Sequence, residues 1–469
     1  MKIPMSRYRI VPALAFAVVA PAIPSPAPAP ESSFTLEERA AVVEYWSQPG
    51  RYEAKPLGEV DGTDIWFAKY TPEGSLWIRE FYRLRSDGKV IPTITPEAEN
   101  EQQLRWDNWL NARVARDRLL AEIEAEVQNA IETGDAIPIR DGSEAPAPGE
   151  MPADLAGLIA APPNFFHIAI PYAHTIRFDD ATIEYQDHVG VPDKYAYFRN
   201  EKGVRSFGTK AADRGPDYIN LLYQRAGIPV DQQRVFAAVS LLEGGFDSVN
   251  TYDTGFVSVG FIQFAALSEG AGSLGQVMLR MKTEYPEEFE GNFRRFGLDV
   301  TDDGVLVVAD PTVGAELHGP DANQRIIHDK RLIAVFQRAG QLSDEFNVCQ
   351  ILTARDNYYP ADDEIVVEVG GREMKCLVKD IFKSEAGLAT MMDRKVNTGK
   401  LDPLGEYLRD LVEQTGMTDL KDAAKYEWAL IRAMKYREDY LAMSALSQPA
   451  RLDITLSRGD NPRDRRGGG

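Results

Sequence analysis

The stretch Ser240-Leu-Leu-Glu243-Gly-Gly-Phe-Asp247-Ser-Val-Asn250-Thr-Tyr-Asp253-Thr-Gly-Phe-Val-Ser258-Val-Gly260-Phe-Ile-Gln263-Phe264 changes its period part-way along. Ahead of it and into it, Val235, Val239 and Leu242 recur at i, i+4 and i+7. That is the spacing of one helix face, and it predicts a helix over 231–243. Gly244-Gly245 is the C-terminal cap that would end it. Glu243 is therefore expected at the negative end of a helix dipole, beside Leu241, Leu242 and Phe246. Dipole and desolvation both disfavour a carboxylate there, and a general acid working near neutral pH needs that environment. Beyond the glycines, 246–252 and 256–264 alternate like two short strands around Asp253-Thr254-Gly255. Such a hairpin would hold Asp253, Thr254 and Ser258 across a groove from Glu243. Glycosidases use a carboxyl pair of this kind, one acid for the leaving oxygen and one base for water. The plainer reading is that Glu243 caps locally while Asp247 or Asp253 serves a turn.

Working outward, helices are expected at 217–226, 274–285, 322–339, 345–358, 384–396, 403–414 and 419–446, with strands in this half only at 246–264 and 364–378. Towards the amino terminus, 35–47 suits a helix opened by a Thr35/Glu38 capping box. The stretches 65–70 and 76–84 read as strands around Thr71-Pro72-Glu73-Gly74. Trp106, Leu110, Val114, Ile123 and Val127 trace one face of a long helix. Short strand-like runs at 165–170 and 195–198 follow. Five of the six tryptophans (Trp46, Trp66, Trp77, Trp106, Trp109) lie in this half, suiting a core or a glycan-stacking platform. The expected fold class is α+β: a mainly helical domain with a small antiparallel hairpin sheet, preceded by a small α+β module. The expected divisions are 1–22 signal peptide, 23–33 Pro/Ala linker, 34–135 aromatic module and 136–154 acidic linker. They continue with 155–206 short strands, 207–447 catalytic domain and 448–469 disordered tail.

The chain has 469 residues, enough for two or three domains, with 52 Lys and Arg against 72 Asp and Glu. A net charge of −20 argues against nucleic acid and anionic lipid as general partners and suits a cationic or neutral one. Lys2, Arg7 and Arg9 precede a short apolar run at 10–20, then small residues and prolines, with Ala20-Pro21-Ala22 as a cleavage region. This pattern predicts export to the periplasm or medium, with no stable membrane insertion after cleavage. In an oxidising compartment Cys349 and Cys376 would bridge or stay as two buried thiols. His167, His174, His188, His318 and His328 show no metal-ligand spacing, so neither metal nor cofactor is expected. Gly270-Ala271-Gly272-Ser273-Leu274-Gly275 matches a dinucleotide fingerprint, but without repeated βαβ units it reads as a tight turn into a helix.

At residues 240–264 the chain resembles the lysozyme-like superfamily of lysozymes, lytic transglycosylases and inverting chitosanases. Ser258-Val-Gly260-Phe-Ile-Gln263 is similar to the S-x-G-x-x-Q element of the transglycosylase sheet, and Asp253-Thr254 ahead of an apolar strand to the chitosanase arrangement. Two departures stand out: Gly244 occupies the place where transglycosylases carry Ser, and Asp253 lies nearer to Glu243 than the chitosanase second acid does. The resemblance implies a helical domain over about 207–447 and an exported glycoside hydrolase of β-1,4-linked aminosugar polymers, peptidoglycan or chitosan. It implies Glu243 as the acid. Asp253 is the expected base, with Asp247 and Asp393 as other candidates, and Thr254 or Ser258 would position the water. Asp247, Asn250, Tyr252 and Gln263 complete the expected sugar groove. A transglycosylase using Glu243 alone and a non-catalytic cell-wall binding protein are the rival readings.

Overall fold

Thr35 opens the first helix as the sequence requires: its hydroxyl accepts from the Glu38 amide, and the Glu38 carboxylate accepts from the Thr35 amide. The helix it opens, Leu36–Ser47, buries Val42 and Trp46. A computed structural model describes residues 32–60, 62–86, 96–145, 147–189, 199–240 and 244–457. The expected signal peptide, most of the first linker, the strand at 195–198 and the end of the tail lie outside the described residues. So does Glu243. From Ser33 onward the chain gathers into one compact unit.

The fold is mixed α+β, with several small antiparallel sheets among helices. Tyr52–Pro56, Tyr172–Arg177 and Thr182–Gln186 form a three-stranded sheet, with Ile176 opposite Tyr52 and Ile183. Phe67–Tyr70 pairs with Phe166–Ala169. Arg205–Ser206, Val249–Asn250, Ser258–Val259 and Phe264–Ala265 make a four-stranded sheet in that order. A three-stranded sheet of Leu298–Val300, Leu306–Ala309 and Glu316–His318 was not anticipated; its middle strand is buried at every position. A strand covered on both faces shows no alternation, which is the signal that marks a half-buried one.

Two hydrophobic cores organise these elements. The smaller gathers Trp77, Ile78, Phe81, Trp106, Trp109, Leu110, Leu155 and Phe165. The larger takes in the sheets and helices from Ile176 onward and also Phe34, Val42 and Trp46. Helix Leu36–Ser47, grouped in the sequence with the other aromatic stretches, thus belongs to the larger core. Its Trp46 indole donates to the Phe296 carbonyl. Four of the five clustered tryptophans are buried, and Trp66 donates to Glu132 on the long helix Pro96–Thr133.

Several expected boundaries move. The stretch 76–84 is helical, within Pro72–Ser86, because Thr71-Pro72 is a helix start: the Thr71 hydroxyl accepts from the Gly74 amide. Proline at the first helical position loses no hydrogen bond. The expected helix 322–339 is two, Gly319–His328 and Lys330–Leu342. Asp329 divides them by leaving the helical conformation and accepting from the Arg331 amide. The segment 419–446 is a 3₁₀ turn, Leu420–Tyr426, a helix, Glu427–Met434, and a second 3₁₀ turn, Tyr440–Ala442. Glu427 is buried there and accepts from the Ser384 amide and hydroxyl, a tertiary tie without a local signature. The second linker lies along helix Pro96–Thr133, where Arg116 donates to the carbonyls of Gly142 and Ala145. Among the described residues, no helix is long and apolar enough to cross a membrane.

Cys349 and Cys376 are both buried and free, so the disulfide weighed above does not form. Their surroundings differ: Cys349, on helix Asp344–Tyr358, faces Glu284 and Arg280, while Cys376, on strand Arg372–Leu377, faces Asp380 and Lys421. Burial pushes the thiols up to about 12 and about 11 respectively. The native protein is expected to alkylate roughly 100–1000-fold more slowly at pH 8 than an ordinary thiol. Both thiols should titrate once the chain is denatured without reductant; finding none would restore the bridge. Because the folded values lie above the ordinary 9.0, the thiols' contribution to stability is complete below that pH. It should be lost as pH rises through 11 to 12, as denaturant midpoints would record.

Candidate functional site

Helix Val230–Ser240 buries Val235 and Val239, two residues of the face read from the sequence, with Phe236 beside them, while Leu242 lies outside the described residues. Helix Glu385–Thr398 packs on it, and Arg234 joins Glu385 across the pair. The chain re-enters the described residues at Gly244, whose φ of +124° lies in the region open to glycine. Gly245 is close against the 205–209 segment: its amide donates to the Phe207 carbonyl, and a Cβ there would stand 2.0 Å from the Thr209 oxygen. The path then runs directly into the four-stranded sheet, where Asn250 faces Ser258 and Val249 faces Val259.

Each expected site residue now has a place. Asp247 is fully buried: its Oδ1 accepts from the Thr209 amide at 2.9 Å and from Arg214 at 2.8 Å. It therefore holds the floor of the site together, and it does not face a groove. Asn250 is buried, donates to Asp253 Oδ2 at 2.6 Å and accepts from the Tyr252 amide. Asp253 also accepts from the Gly255 amide at 2.9 Å, two residues on, which is turn chemistry. Burial pushes its carboxyl above the usual range, against the pull of these hydrogen bonds and of Arg79 on helix Pro72–Ser86. Two accepted bonds leave about two of a carboxylate's four lone-pair positions open. Thr254 lies half-buried in the turn, and the Ser258 hydroxyl is buried against Gly255. Gln263, at φ +56°, donates to the Ser248 hydroxyl at 2.7 Å and to the Gly260 carbonyl at 3.1 Å. Ser248, the residue after Asp247, thus ties the glycine and the glutamine of the expected S-x-G-x-x-Q element, its hydroxyl accepting from Gln263 and donating to the Gly260 carbonyl. Asp393 is buried away from this loop, accepting from Asn397 and the Arg437 amide, and burial raises its carboxyl.

The structure adds residues that the sequence reading left out. Arg205 stacks over Tyr252 and Phe207, 5.6 and 4.9 Å from the ring centroids, and Arg199 lies 4.9 Å over Phe256. Phe207 is 59% exposed beside Gly244-Gly245, an aromatic face available to a flat partner. Burial raises the Tyr252 hydroxyl, Asp253 adds to the rise and Arg205 opposes it. Alternation marked 246–264, whereas 205–207 meets this stretch through tertiary contacts alone: strand pairing, the Gly245–Phe207 hydrogen bond and the stacking of Arg205 on Tyr252.

A second cluster lies near strand 166–169. His167, His188 and Glu201 bring two imidazole nitrogens and a carboxylate oxygen within 4.8 Å of one another. These three residues could hold a metal ion, an arrangement that the spacing of the histidines along the chain does not reveal. Spacings of 21 and 13 residues carry no local signal, and only folding unites them.

No family model, curated protein or solved structure matches the chain.

Removing the Arg214 charge should leave Asp247 buried with one hydrogen-bonded amide as its main support. Arg214→Leu is expected to destabilise the fold by about 3–5 kcal/mol, the usual cost of stranding a buried partner. Denaturant unfolding tests this, and a change below about 1 kcal/mol would show that the pair carries little.

Proposed function

We propose that the protein is an exported glycoside hydrolase acting on β-1,4-linked aminosugar polymers, with Glu243 protonating the glycosidic oxygen. The observation that supports this most is the order of elements around the site. A helix approaching Glu243 is followed, through Gly244-Gly245, by a small antiparallel sheet whose first turn carries Asp253 and Thr254 and whose second carries Gln263. That succession is what the lysozyme-like resemblance implies.

Asp253 would accept the proton of the attacking water through its remaining lone pairs, with Thr254 beside it in the turn. A carboxyl raised by burial suits proton transfer closer to neutrality than an ordinary aspartate would. Tyr252, Asn250 and the exposed ring of Phe207 would line the sugar path. The overall charge of −20 favours a cationic glucosamine polymer. The single-glutamate transglycosylase reading draws support from Asp247, which is tied to Arg214, and from the loop bonds that already occupy both oxygens of Asp253.

The test is the full chain incubated with chitosan and with peptidoglycan, followed by mass analysis of the products. Hydrolysis gives new reducing ends; transglycosylation gives anhydro-sugars lighter by one water. Glu243→Gln is expected to lower turnover by a factor on the order of 10²–10⁴ with circular dichroism unchanged. Wild-type turnover in that variant removes the assignment. Polymer binding without any cleavage by the wild-type chain favours the binding-protein reading.

A further inference from the structure

We propose that His167, His188 and Glu201 form a binding site for one divalent transition-metal ion of the zinc or cobalt type. His167 lies on strand Phe166–Ala169, opposite Lys69 in the ladder. His188 follows strand Thr182–Gln186 by two residues, and Glu201 precedes Arg205–Ser206. Glu201 Oε1 stands 2.8 Å from His167 Nε2 and 3.3 Å from His188 Nδ1.

Distance alone would suggest two ordinary imidazole–carboxylate hydrogen bonds, but direction does not. At His174–Asp187 and at His318–Glu316 the ring nitrogen points properly at its carboxylate. His167 Nε2 and His188 Nδ1 are instead enclosed by protein, and neither meets Glu201 in a hydrogen-bonding direction. Three donor atoms that crowd together, with neither imidazole well aligned on the carboxylate it pairs with, suit a common central atom. Metal–ligand distances of about 2.0–2.2 Å put tetrahedral ligand atoms roughly 3.3–3.6 Å apart, which the His188–Glu201 spacing of 3.3 Å matches and the His167–Glu201 spacing of 2.8 Å would reach by a small opening. Two imidazoles and one carboxylate are a donor set suited to zinc and to related first-row ions.

The surroundings agree. His188 is 4% exposed at its side chain, whereas His167 and Glu201 are 35% and 31% exposed, so the cluster lies at the edge of the fold, close to solvent. His188 adopts a φ of +52°, a left-handed conformation that is unfavourable for a residue with a β-carbon. The surrounding fold holds that conformation: the neighbouring Asp187 is buried, accepting from the Tyr172 amide and bonded to His174. Asp187 also offsets the positive charges of Lys69 and Lys202, which face the cluster.

The ion would fasten the segment that carries Glu201. In that segment the Arg199 and Asn200 amides both donate to the Tyr252 carbonyl, at 2.6 and 3.0 Å. Gly203 lies so close that a Cβ would stand 2.4 Å from the Tyr252 Cα. Metal at the cluster would therefore brace Tyr252 from behind, whatever Tyr252 binds.

The experiment uses the full chain, stripped with chelator and returned to metal-free buffer. Zn²⁺ is titrated by calorimetry, and Co²⁺ by visible absorption with displacement by Zn²⁺. One equivalent per chain is expected, with the d–d bands of low-coordinate cobalt. His167→Gln, His188→Asn and Glu201→Gln should each weaken binding at least tenfold. Asparagine is chosen at 188 because it tolerates the left-handed backbone. Zn²⁺ should also slow hydrogen exchange at the Arg199 and Asn200 amides. Glu201→Gln keeps the side-chain shape, so it carries the comparison should a histidine variant fail to fold. Failure of the wild-type chain to take up an equivalent overturns the proposal, as does uptake that Glu201→Gln leaves unchanged.

Discussion

Asp247 is a carboxylate without solvent whose partners come from a different stretch of chain, and the candidate site depends on that arrangement. Arg214 supplies the countercharge and the Thr209 amide a second hydrogen bond. A buried charge without such partners would be strongly destabilising, so 205–214 has to lie against 244–248 whenever the chain is folded. The backbone confirms how tight the contact is. A Cβ on Gly340 of the neighbouring helix would meet the Phe246 carbonyl at 2.4 Å. The turn after residue 243 is therefore clamped from two sides, and the strand that follows starts from a defined position.

That clamp explains why a sheet of two-residue strands is a stable platform. Strands this short gain little from their ladders and need packing on other elements. Here Val249, Val257, Val259, Phe261 and Phe264 are all buried in the larger core, while Gln263 and Ser248 stitch the loops by side-chain hydrogen bonds. Helix Lys330–Leu342 crosses beneath with nearly every residue buried, and its polar groups are matched. Gln337 accepts from Tyr185 and donates to Ser206, and Arg338 pairs with Asp180. Buried polar groups satisfied in this way add directional constraints that apolar packing alone does not supply.

Reading the chain without its structure succeeded where the signal is local. The Thr35/Glu38 box and the strand stretch 364–378, which folds as a hairpin of Glu364–Val369 with Arg372–Leu377, are visible because a cap or turn and its partners lie within a few residues. The same chemistry misled at Thr71-Pro72-Glu73-Gly74, where residues common in turns are also those that start a helix. Strand Leu306–Ala309 went unread because burial on both faces erases alternation. In the candidate site, Asn250, Asp253 and Gln263 were legible as members of one strand–turn–strand stretch. Phe207 and Arg205 were not, since tertiary contacts alone bring them there.

By itself the sequence determined the α+β character, most helix positions, the loop of Asp253 and the acidic balance. All of these follow from neighbours in the chain or from summed composition. Only the tertiary structure decided that Asp247 serves as an anchor and that Cys349 and Cys376 remain apart. It alone gathered His167, His188 and Glu201, and it placed Trp46 in the larger core. The physical reason is common to each case: whether a charge, thiol or imidazole reacts, binds or merely supports depends on the burial and direction set by distant segments. Periodicity along the chain carries no record of those segments.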